Sequence, residues 1–141
     1  KGYWNRPEAT AEAIKDGWFY TGDIATMDAE GFVYICDRKK DMIISGGENV
    51  YPAEVENALF SHPKVGDVAV IGQKSAKWGE VPLAIIIKSD DSLTEDEVLK
   101  YCNGNLAKFK QPKTVKFVTE IPRNPSGKIL KRVLREQFPE D

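Results

Sequence analysis

Residues 37–52 read DRKKDMIISGGENVYP, and this stretch decides how the chain divides and how its second part folds. Five consecutive charges open the stretch, and such a run does not lie in a hydrophobic core. The apolar residues 42–45 predict a strand, the glycine pair 46–47 a tight turn, and residues 50–51 the returning strand. Pro52 then predicts the first turn of a helix. We therefore place a domain boundary at the charged run.

The rest of the chain alternates between short apolar runs and amphipathic segments. Before the boundary, Pro7 predicts a short helix that ends at Gly17, and the turn residues 28–31 predict a β-hairpin. After the boundary, Thr94 and Glu97 form a capping box at the start of a helix. Further strands are expected at 65–71, 83–87 and 115–118, and a last helix after Leu130. This order predicts an α+β fold, in which a small domain with a mostly antiparallel sheet flanked by helices follows a β-rich segment.

The composition predicts a folded domain without a membrane span. The chain has 141 residues, of which 41% are hydrophobic, and this suffices to bury a core in about one domain. No apolar run approaches the roughly 20 residues that cross a bilayer. One histidine and two cysteines at unrelated spacing predict neither a metal site nor a histidine-based catalytic triad. We expect Cys36 and Cys102 to be core residues of a reducing, cytoplasmic compartment.

Charge is divided unevenly along the chain. The net charge is −2, but residues 101–141 contain nine Lys and Arg against four Asp and Glu. The first hundred residues contain eleven against eighteen. A basic last third suits a polyanionic ligand or forms a solvated basic face, and the overall charge argues neither for nor against a nucleic-acid partner.

The most informative loop lies near the end of the chain, where residues 122–128 read PRNPSGK. Two prolines and a glycine exclude a helix or a central strand, so the loop presents Lys128 on a short, stiff arm. An ammonium held in this way suits a phosphate or carboxylate whose charge changes during a reaction. The alternative interpretation is a surface turn that carries one lysine.

Two further segments carry ligand-binding chemistry. Asp23 follows Gly22 in a turn, where a carboxylate suits the two hydroxyls of a ribose. Gly46 and Gly47 let a backbone pass close to a ligand because no Cβ stands in the way. Each segment also has a simpler interpretation, which is an ordinary turn for the first and a hairpin that needs positive φ for the second.

Taken together and in this order, the three segments resemble the adenylate-forming enzymes, a superfamily of acyl-CoA synthetases, peptide-synthetase adenylation domains and firefly-type luciferases. The stretches GYWNRPEAT at 2–10 and GWFYTGD at 17–23 look most like the region before the hinge in fatty- or aryl-acyl-CoA ligases. The resemblance covers essentially the whole chain. A luciferase-like oxygenase is disfavoured, because such enzymes usually carry a second catalytic lysine where this chain has Ile44.

The resemblance implies a division into three parts. Residues 1–37 would end a large ATP- and acyl-binding domain, residues 38–40 would form a hinge, and residues 41–141 would form a C-terminal lid. Such an enzyme is an AMP-forming acid–thiol ligase, which converts a carboxylic acid and ATP to acyl-AMP and then forms a thioester with CoA. We expect this chain alone to catalyse neither step.

The resemblance also implies the cofactors and partners. ATP and CoA would bind, together with Mg²⁺ that is held by the N-terminal domain, so no metal ligand is expected within this chain. The partners would be the carboxylic acid and the N-terminal domain, with no nucleic acid.

By resemblance, Asp23 would bind the ribose hydroxyls of ATP, and Arg38 would reach the same sugar or the phosphates. Lys40 would mark the hinge. Lys128 would be the adenylation lysine, which bridges the substrate carboxylate and the α-phosphate. The lid would then rotate, withdraw this lysine and deliver the diglycine hairpin to the active site.

By resemblance, CoA would contact five residues of the lid. Gly46 and Gly47 would line the tunnel for the pantetheine arm, while Trp78, Phe109 and Lys113 match positions that touch the CoA nucleotide in some aryl-CoA ligases. Trp78 is also interpreted as a partly buried aromatic at a strand end, and Phe109 as a core plug. Two other functions stay open, namely an adenylation domain that loads a carrier protein and a non-enzymatic module that binds a nucleotide or a partner protein.

Overall fold

The computed structural model of the chain describes residues 1–139. Within that range the strands form two two-stranded hairpins and one five-stranded sheet. The elements follow each other as α1 Pro7–Ala13, β1 Ile14–Lys15, β2 Trp18–Phe19, β3 Asp23–Met27, β4 Val33–Arg38, β5 Ile43–Ser45, β6 Glu48–Val50, α2 Pro52–Phe60, β7 Val65–Ser75, β8 Gly79–Lys88, α3 Glu95–Asn105, β9 Thr114–Phe117 and α4 Lys131–Gln137. This is the α+β architecture that the sequence predicts.

The five-stranded sheet is built around β8. On one edge, β7 pairs antiparallel with β8 along its whole length. The other edge of β8 is shared, because β5 pairs antiparallel with it at Gly79 and β9 runs parallel to residues 83–86. β6 adds to the outer edge of β5. A single parallel pair among the strand pairs of this sheet confirms the prediction of a mostly antiparallel sheet.

Helices cover both faces of the sheet. Successive side chains of a strand point to opposite faces, so neighbouring residues of β7 enter different cores. Val70 packs in one cluster with Val55 of α2 and Val98 of α3. The next residue, Ile71, packs in a second cluster with Leu134 of α4. This two-sided burial explains why residues 68–71 of β7 form a continuous apolar run and do not alternate.

The end of β7, the start of β8 and the end of α1 differ from the sequence-based expectation. β7 extends to Ser75, and β8 already begins at Gly79. The two strands stay paired through polar residues that the apolar pattern does not mark. α1 ends at Ala13 and not at Gly17, since residues 14–19 form the β1–β2 hairpin.

The first part of the chain contributes nothing to the buried core. No residue before Ile43 is buried. The expectation that Cys36 is a core residue is therefore wrong, and its side chain is only half-buried. The hairpin β3–β4 and the small elements before it expose their aromatic residues to solvent instead.

The predicted start of α3 is confirmed. Thr94 Oγ1 accepts a hydrogen bond from the backbone N–H of Glu97 at 3.3 Å.

Among the helices of residues 1–139, none combines the length and the apolar character that a crossing of a lipid bilayer demands.

Candidate functional site

Lys128 ends a loop that closes on itself through hydrogen bonds. The Oδ1 atom of Asn124 accepts the N–H groups of Ser126 and Lys128 at 3.0 and 2.9 Å. In return, the carbonyl of Lys128 accepts the N–H of Asn124 at 2.9 Å. The backbone of Lys128 is therefore fixed, while its side chain is exposed and has no ion-pair partner in the described part of the chain.

Arg123 anchors this loop to the sheet. Its Nη1 atom donates to the carbonyl of Gly127 at 2.7 Å, and its Nη2 atom forms an ion pair with Asp67 of β7 at 2.7 Å. One planar guanidinium thus connects the loop to the sheet. Sequence reasoning missed Arg123 and Asn124, although both lie inside the loop that it selected.

Asp23 and Arg38 face each other across the β3–β4 hairpin. They are register partners, and Arg38 Nε lies 2.9 Å from Asp23 Oδ1. Arg38 Nη1 also donates to the carbonyl of Thr21 at 3.1 Å. Asp23 lines an open pocket of about 730 Å³. The two side chains predicted to bind a nucleotide are thus brought together, and a carboxylate beside a guanidinium suits hydroxyl and phosphate groups of one ligand.

The chain turns sharply directly after this ion pair. The N–H of Lys39 donates to the carbonyl of Gly22 at 2.8 Å, so residue 39 still belongs to the β3–β4 hairpin. The carbonyl of Arg38 then accepts the N–H of Asp41 at 3.0 Å, which closes a turn. Lys40 is exposed in this turn, at the position where the sequence predicts a hinge.

The diglycine turn joins β5 and β6 beside Trp78. Gly46 and Gly47 have φ values of +61° and +88°, which residues other than glycine rarely adopt. The N–H of Gly46 donates to the carbonyl of Trp78 at 2.7 Å, and a Cβ at Gly46 would lie 2.9 Å from the indole ring. A Cβ at Gly47 would meet nothing within 4 Å. Gly46 is therefore required by both conformation and contact, and Gly47 by conformation alone.

A pocket of about 530 Å³, which we call the lysine pocket, opens between the diglycine turn and the segment before β9. Its walls are formed by Ser45, Gly46, Glu48, Lys77, Trp78, Lys108, Phe109 and Lys113. Trp78 and Phe109 are 46% and 37% exposed, so Phe109 is not a core plug. The volume lies in the range of small-molecule sites, and two aromatic rings offer stacking surfaces to a planar ligand.

Three lysines against one carboxylate, that of Glu48, give the lining of this pocket a net positive charge. Lys77, Lys108 and Lys113 have no carboxylate partner among residues 1–139. Lys110 of the same segment is different, since its Nζ atom lies 2.6 Å from Glu54 Oε1. Sequence reasoning missed Lys77 and Lys108, although each directly precedes a pocket aromatic and that position was an available signal.

The lysine pocket unites four of the five residues that were predicted to contact CoA, namely Gly46, Trp78, Phe109 and Lys113. Gly47 belongs to the adjoining turn but does not line the pocket. Lys128 lines neither the lysine pocket nor the pocket beside Asp23. The described arrangement therefore presents three separate elements of the predicted chemistry, and the role of each residue stays a prediction.

Two other observations concern groups that often act in catalysis. No group of three or more His, Cys, Asp or Glu within residues 1–139 is arranged to hold a metal ion. Burial raises the pKa of the Cys102 thiol to about 11, which makes Cys102 a poor nucleophile at neutral pH.

A comparison with protein families gives one match. A family model described as the AMP-binding enzyme C-terminal domain matches residues 54–128, more than half of the chain. The match begins in α2 and ends at Lys128, so it includes Trp78 and the segment that forms the lysine pocket.

Two relatives illustrate the similarity in sequence. The long-chain-fatty-acid–CoA ligase FadD13 of Mycobacterium tuberculosis is 56% identical over 138 residues, which cover 98% of this chain and 27% of the relative. The 2-succinylbenzoate–CoA ligase of Bacillus cereus is 51% identical over 135 residues, which cover 96% of this chain and 28% of the relative. The chain thus spans little more than a quarter of the length of these relatives.

Solved structures agree with this similarity. One match is the o-succinylbenzoate CoA synthetase MenE from Bacillus subtilis, solved in complex with the acyl-adenylate intermediate OSB-AMP. Its TM-score is 0.89 at 44% identity, and the matched region covers 96% of this chain and 28% of the MenE chain. ATP-bound MatB from Rhodopseudomonas palustris matches with a TM-score of 0.88 at 45% identity, and apo MatB with 0.69 at 46% identity. In both cases the matched region covers 97% of this chain and 28% of the MatB chain.

Proposed function

This chain belongs to the family of AMP-binding enzyme C-terminal domains, and we propose that it is the C-terminal part of an AMP-forming acid–thiol ligase. The observation that carries the proposal is the match of 96% and 98% of the chain to two CoA ligases, at 51% and 56% identity. The ligase converts a carboxylic acid and ATP to acyl-AMP and pyrophosphate. It then transfers the acyl group from AMP to CoA.

In the first step, Lys128 supplies a cation to the substrate carboxylate and the α-phosphate. Its fixed backbone and unpaired ammonium favour this role, because a group that is already in place stabilises developing charge without reorganisation. Asp23 binds the ribose hydroxyls, and Arg38 binds the same sugar or the phosphates. The neighbours solved with ATP or an acyl-adenylate support a nucleotide as the ligand.

Residues 38–40 act as a hinge between residues 1–37, which belong to the large domain, and the lid at residues 41–141. The lack of any buried residue before Ile43 supports this division, since residues 1–37 have no core of their own. The difference in TM-score between ATP-bound and apo MatB, 0.88 against 0.69, supports an arrangement that varies with the state of the enzyme. We infer that the described arrangement is the one that serves adenylation.

In the second step, the lid rotates about the hinge and the diglycine turn approaches the acyl-AMP. The lysine pocket binds the nucleotide end of CoA, and Gly46 and Gly47 leave room for the pantetheine arm. Free CoA is favoured over a carrier protein, because CoA brings three phosphate groups to three unpaired lysines. A carrier protein presents its pantetheine arm on a single phosphate.

The remaining components belong to the part of the ligase outside this chain. We place the acyl pocket and the Mg²⁺ that accompanies ATP in the large domain. The chain alone therefore catalyses neither step. A cytoplasmic location completes the proposal, because ATP and CoA are both supplied there.

The test uses the complete protein that carries this segment. It is incubated with ATP, Mg²⁺, CoA and a panel of fatty and aryl acids, while AMP and acyl-CoA are measured by mass spectrometry. We expect at least one acid to yield both products in equal amounts, and this chain alone to yield neither. AMP formation that requires a carrier protein in place of CoA would favour the carrier-loading alternative. A complete protein that forms no AMP with any acid would contradict the proposal and favour a non-enzymatic module.

A further inference from the structure

The N-terminus of α2 is capped by a residue from outside the helix and its flanking turn. The first N–H groups of a helix have no partner within the helix. Tyr51 occupies the cap position of α2 and makes no side-chain hydrogen bond to it. Instead, Asp37 Oδ2 accepts the N–H of Ala53 at 2.8 Å, from 16 residues upstream. A carboxylate at this end of a helix is favourable because it also meets the positive end of the helix dipole.

Asp37 is itself held on the other side of the proposed hinge. It lies in β4, where it pairs with Ile24 of β3. Its Oδ1 atom accepts the N–H of Arg38 at 2.7 Å, so the two carboxylate oxygens point to different parts of the chain. The proposed hinge, residues 38–40, begins at the last residue of β4, directly after Asp37, and precedes the helix that Asp37 caps. The contact therefore crosses the hinge.

We propose that Asp37 is a positioning residue that holds the lid in the described arrangement, in which Lys128 serves adenylation. This inference rests on the proposed function. Rotation of the lid about residues 38–40 moves α2 relative to β4, so the Asp37–Ala53 hydrogen bond breaks in the thioester-forming arrangement. Asp37 thus favours one half-reaction over the other without touching a substrate.

The chain offers a matched control on the other side of the hinge. Asp41 also places a carboxylate next to the hinge, and its Oδ1 atom lies 2.8 Å from Arg135 Nη2 of α4. Both partners of this ion pair lie in the lid, so it does not break when the lid rotates. Loss of Asp41 lowers stability without favouring either half-reaction.

The first experiment separates the two half-reactions in the complete protein. Adenylation is followed by acid-dependent release of pyrophosphate, and thioester formation by acyl-CoA produced from supplied acyl-AMP and CoA. We expect Asp37→Ala to slow adenylation about five- to tenfold, the size expected for loss of a helix cap, and to leave thioester formation unchanged or faster. Asp37→Asn retains an acceptor oxygen and restores most of the adenylation rate. Asp41→Ala changes both rates by the same factor.

The second experiment uses this chain and does not depend on catalysis. Amide hydrogen exchange by NMR reports the protection of the Ala53 N–H. We expect Asp37→Ala to accelerate exchange at Ala53 at least fivefold relative to Leu59 in the same helix, and Asp41→Ala to leave this ratio unchanged.

The outcomes distinguish the two proposals. If the complete protein makes acyl-AMP but Asp37→Ala slows both half-reactions equally or neither, the positioning role is overturned while the proposed function stands. If Ala53 exchange does not change, the contact itself is refuted. If the wild-type protein makes no acyl-AMP, the proposed function fails and the positioning role for adenylation fails with it.

Discussion

Asn124 and Lys128 are joined by two hydrogen bonds that run in opposite directions. The side-chain oxygen of Asn124 accepts the N–H of Lys128 at 2.9 Å, and the carbonyl of Lys128 accepts the N–H of Asn124 at the same distance. These bonds hold the backbone of Lys128 while its ammonium remains exposed. A catalytic cation is most effective when its position is set before the reaction begins, so Asn124 is expected to matter for adenylation.

The first prediction concerns this pair. In the complete protein, Asn124→Ala is expected to lower the adenylation rate about tenfold, because Lys128 is still present but no longer held. Ser126→Ala is the matched control: its hydroxyl also donates to Asn124 Oδ1, at 2.8 Å, but the bond to Lys128 remains. Pyrophosphate release at saturating substrate measures both variants. Equal rates for the two variants would show that the side chain of Asn124 does not position the lysine.

The second prediction concerns the lysines of the lysine pocket. Lys77→Ala and Lys108→Ala are each expected to raise the KM for CoA about tenfold. Each substitution removes a charged hydrogen-bond donor from a phosphate. The effect on dephospho-CoA, which lacks the 3′-phosphate, is expected to be smaller. Lys116→Ala removes an exposed lysine of β9 that does not line the pocket, and it leaves the KM unchanged. A KM for CoA that is the same in all variants would remove these lysines from the site.

The third prediction concerns the diglycine turn. Gly47→Leu is expected to reduce thioester formation from acyl-AMP more than tenfold and to spare adenylation, because a branched side chain would obstruct the pantetheine path. Gly31→Leu imposes the same kind of backbone strain, since Gly31 has φ +91° and open space around it, but it lies in the β3–β4 turn. Thioester formation that survives Gly47→Leu, or that falls equally with Gly31→Leu, would contradict the tunnel assignment.

The fourth prediction concerns Cys102 and stability at high pH. Burial raises the pKa of its thiol from 9.0 to about 11, because the thiolate is disfavoured in the core. This contribution to stability is fully present below pH 9 and is lost as the pH rises through 11. The free energy of unfolding is therefore expected to fall by an amount on the order of 2 kcal/mol over this range.

Urea unfolding at pH 8 and pH 11 measures this change, and Cys102→Ala is expected to make it smaller. The same burial predicts that iodoacetamide modifies the half-buried Cys36 before Cys102. Modification of Cys102 first, or an equal loss of stability in Cys102→Ala, would contradict the account of this thiol.

Local sequence signals predicted the elements that depend on neighbouring residues. Thr94 and Glu97 are three residues apart, and the hydrogen bond between them forms within one turn of a helix. The diglycine turn likewise follows from two adjacent residues that tolerate positive φ. Such features depend little on the rest of the fold, so the sequence alone suffices to place them.

Features that join distant segments were predicted only where the family resemblance supplied them, as for Trp78 and Phe109. Lys77 lies in the turn before β8 and Lys108 in the segment before β9, so they line one pocket because β9 pairs with β8. The position of each lysine before an aromatic residue was a local signal, but no local pattern encodes the pairing that brings the two segments together. The cap that Asp37 provides to α2 was missed for the same reason, since capping rules look for a side chain next to the helix. The full lengths of β7 and β8 were also not predicted. Their polar ends are held by strand pairing and not by burial, so the apolar pattern does not include them.

Lys128 has the central role in the proposed chemistry, and one measurement tests this role directly. In the complete protein, Lys128→Ala is assayed for acyl-AMP formation from acid and ATP, and separately for acyl-CoA formation from supplied acyl-AMP. We expect the first rate to fall at least a hundredfold, consistent with about 3 kcal/mol of lost transition-state stabilisation, and the second to stay within a few-fold of the wild type. An equal loss in both reactions, or no loss in the first, would contradict a lid that offers Lys128 to one half-reaction and the diglycine turn to the other.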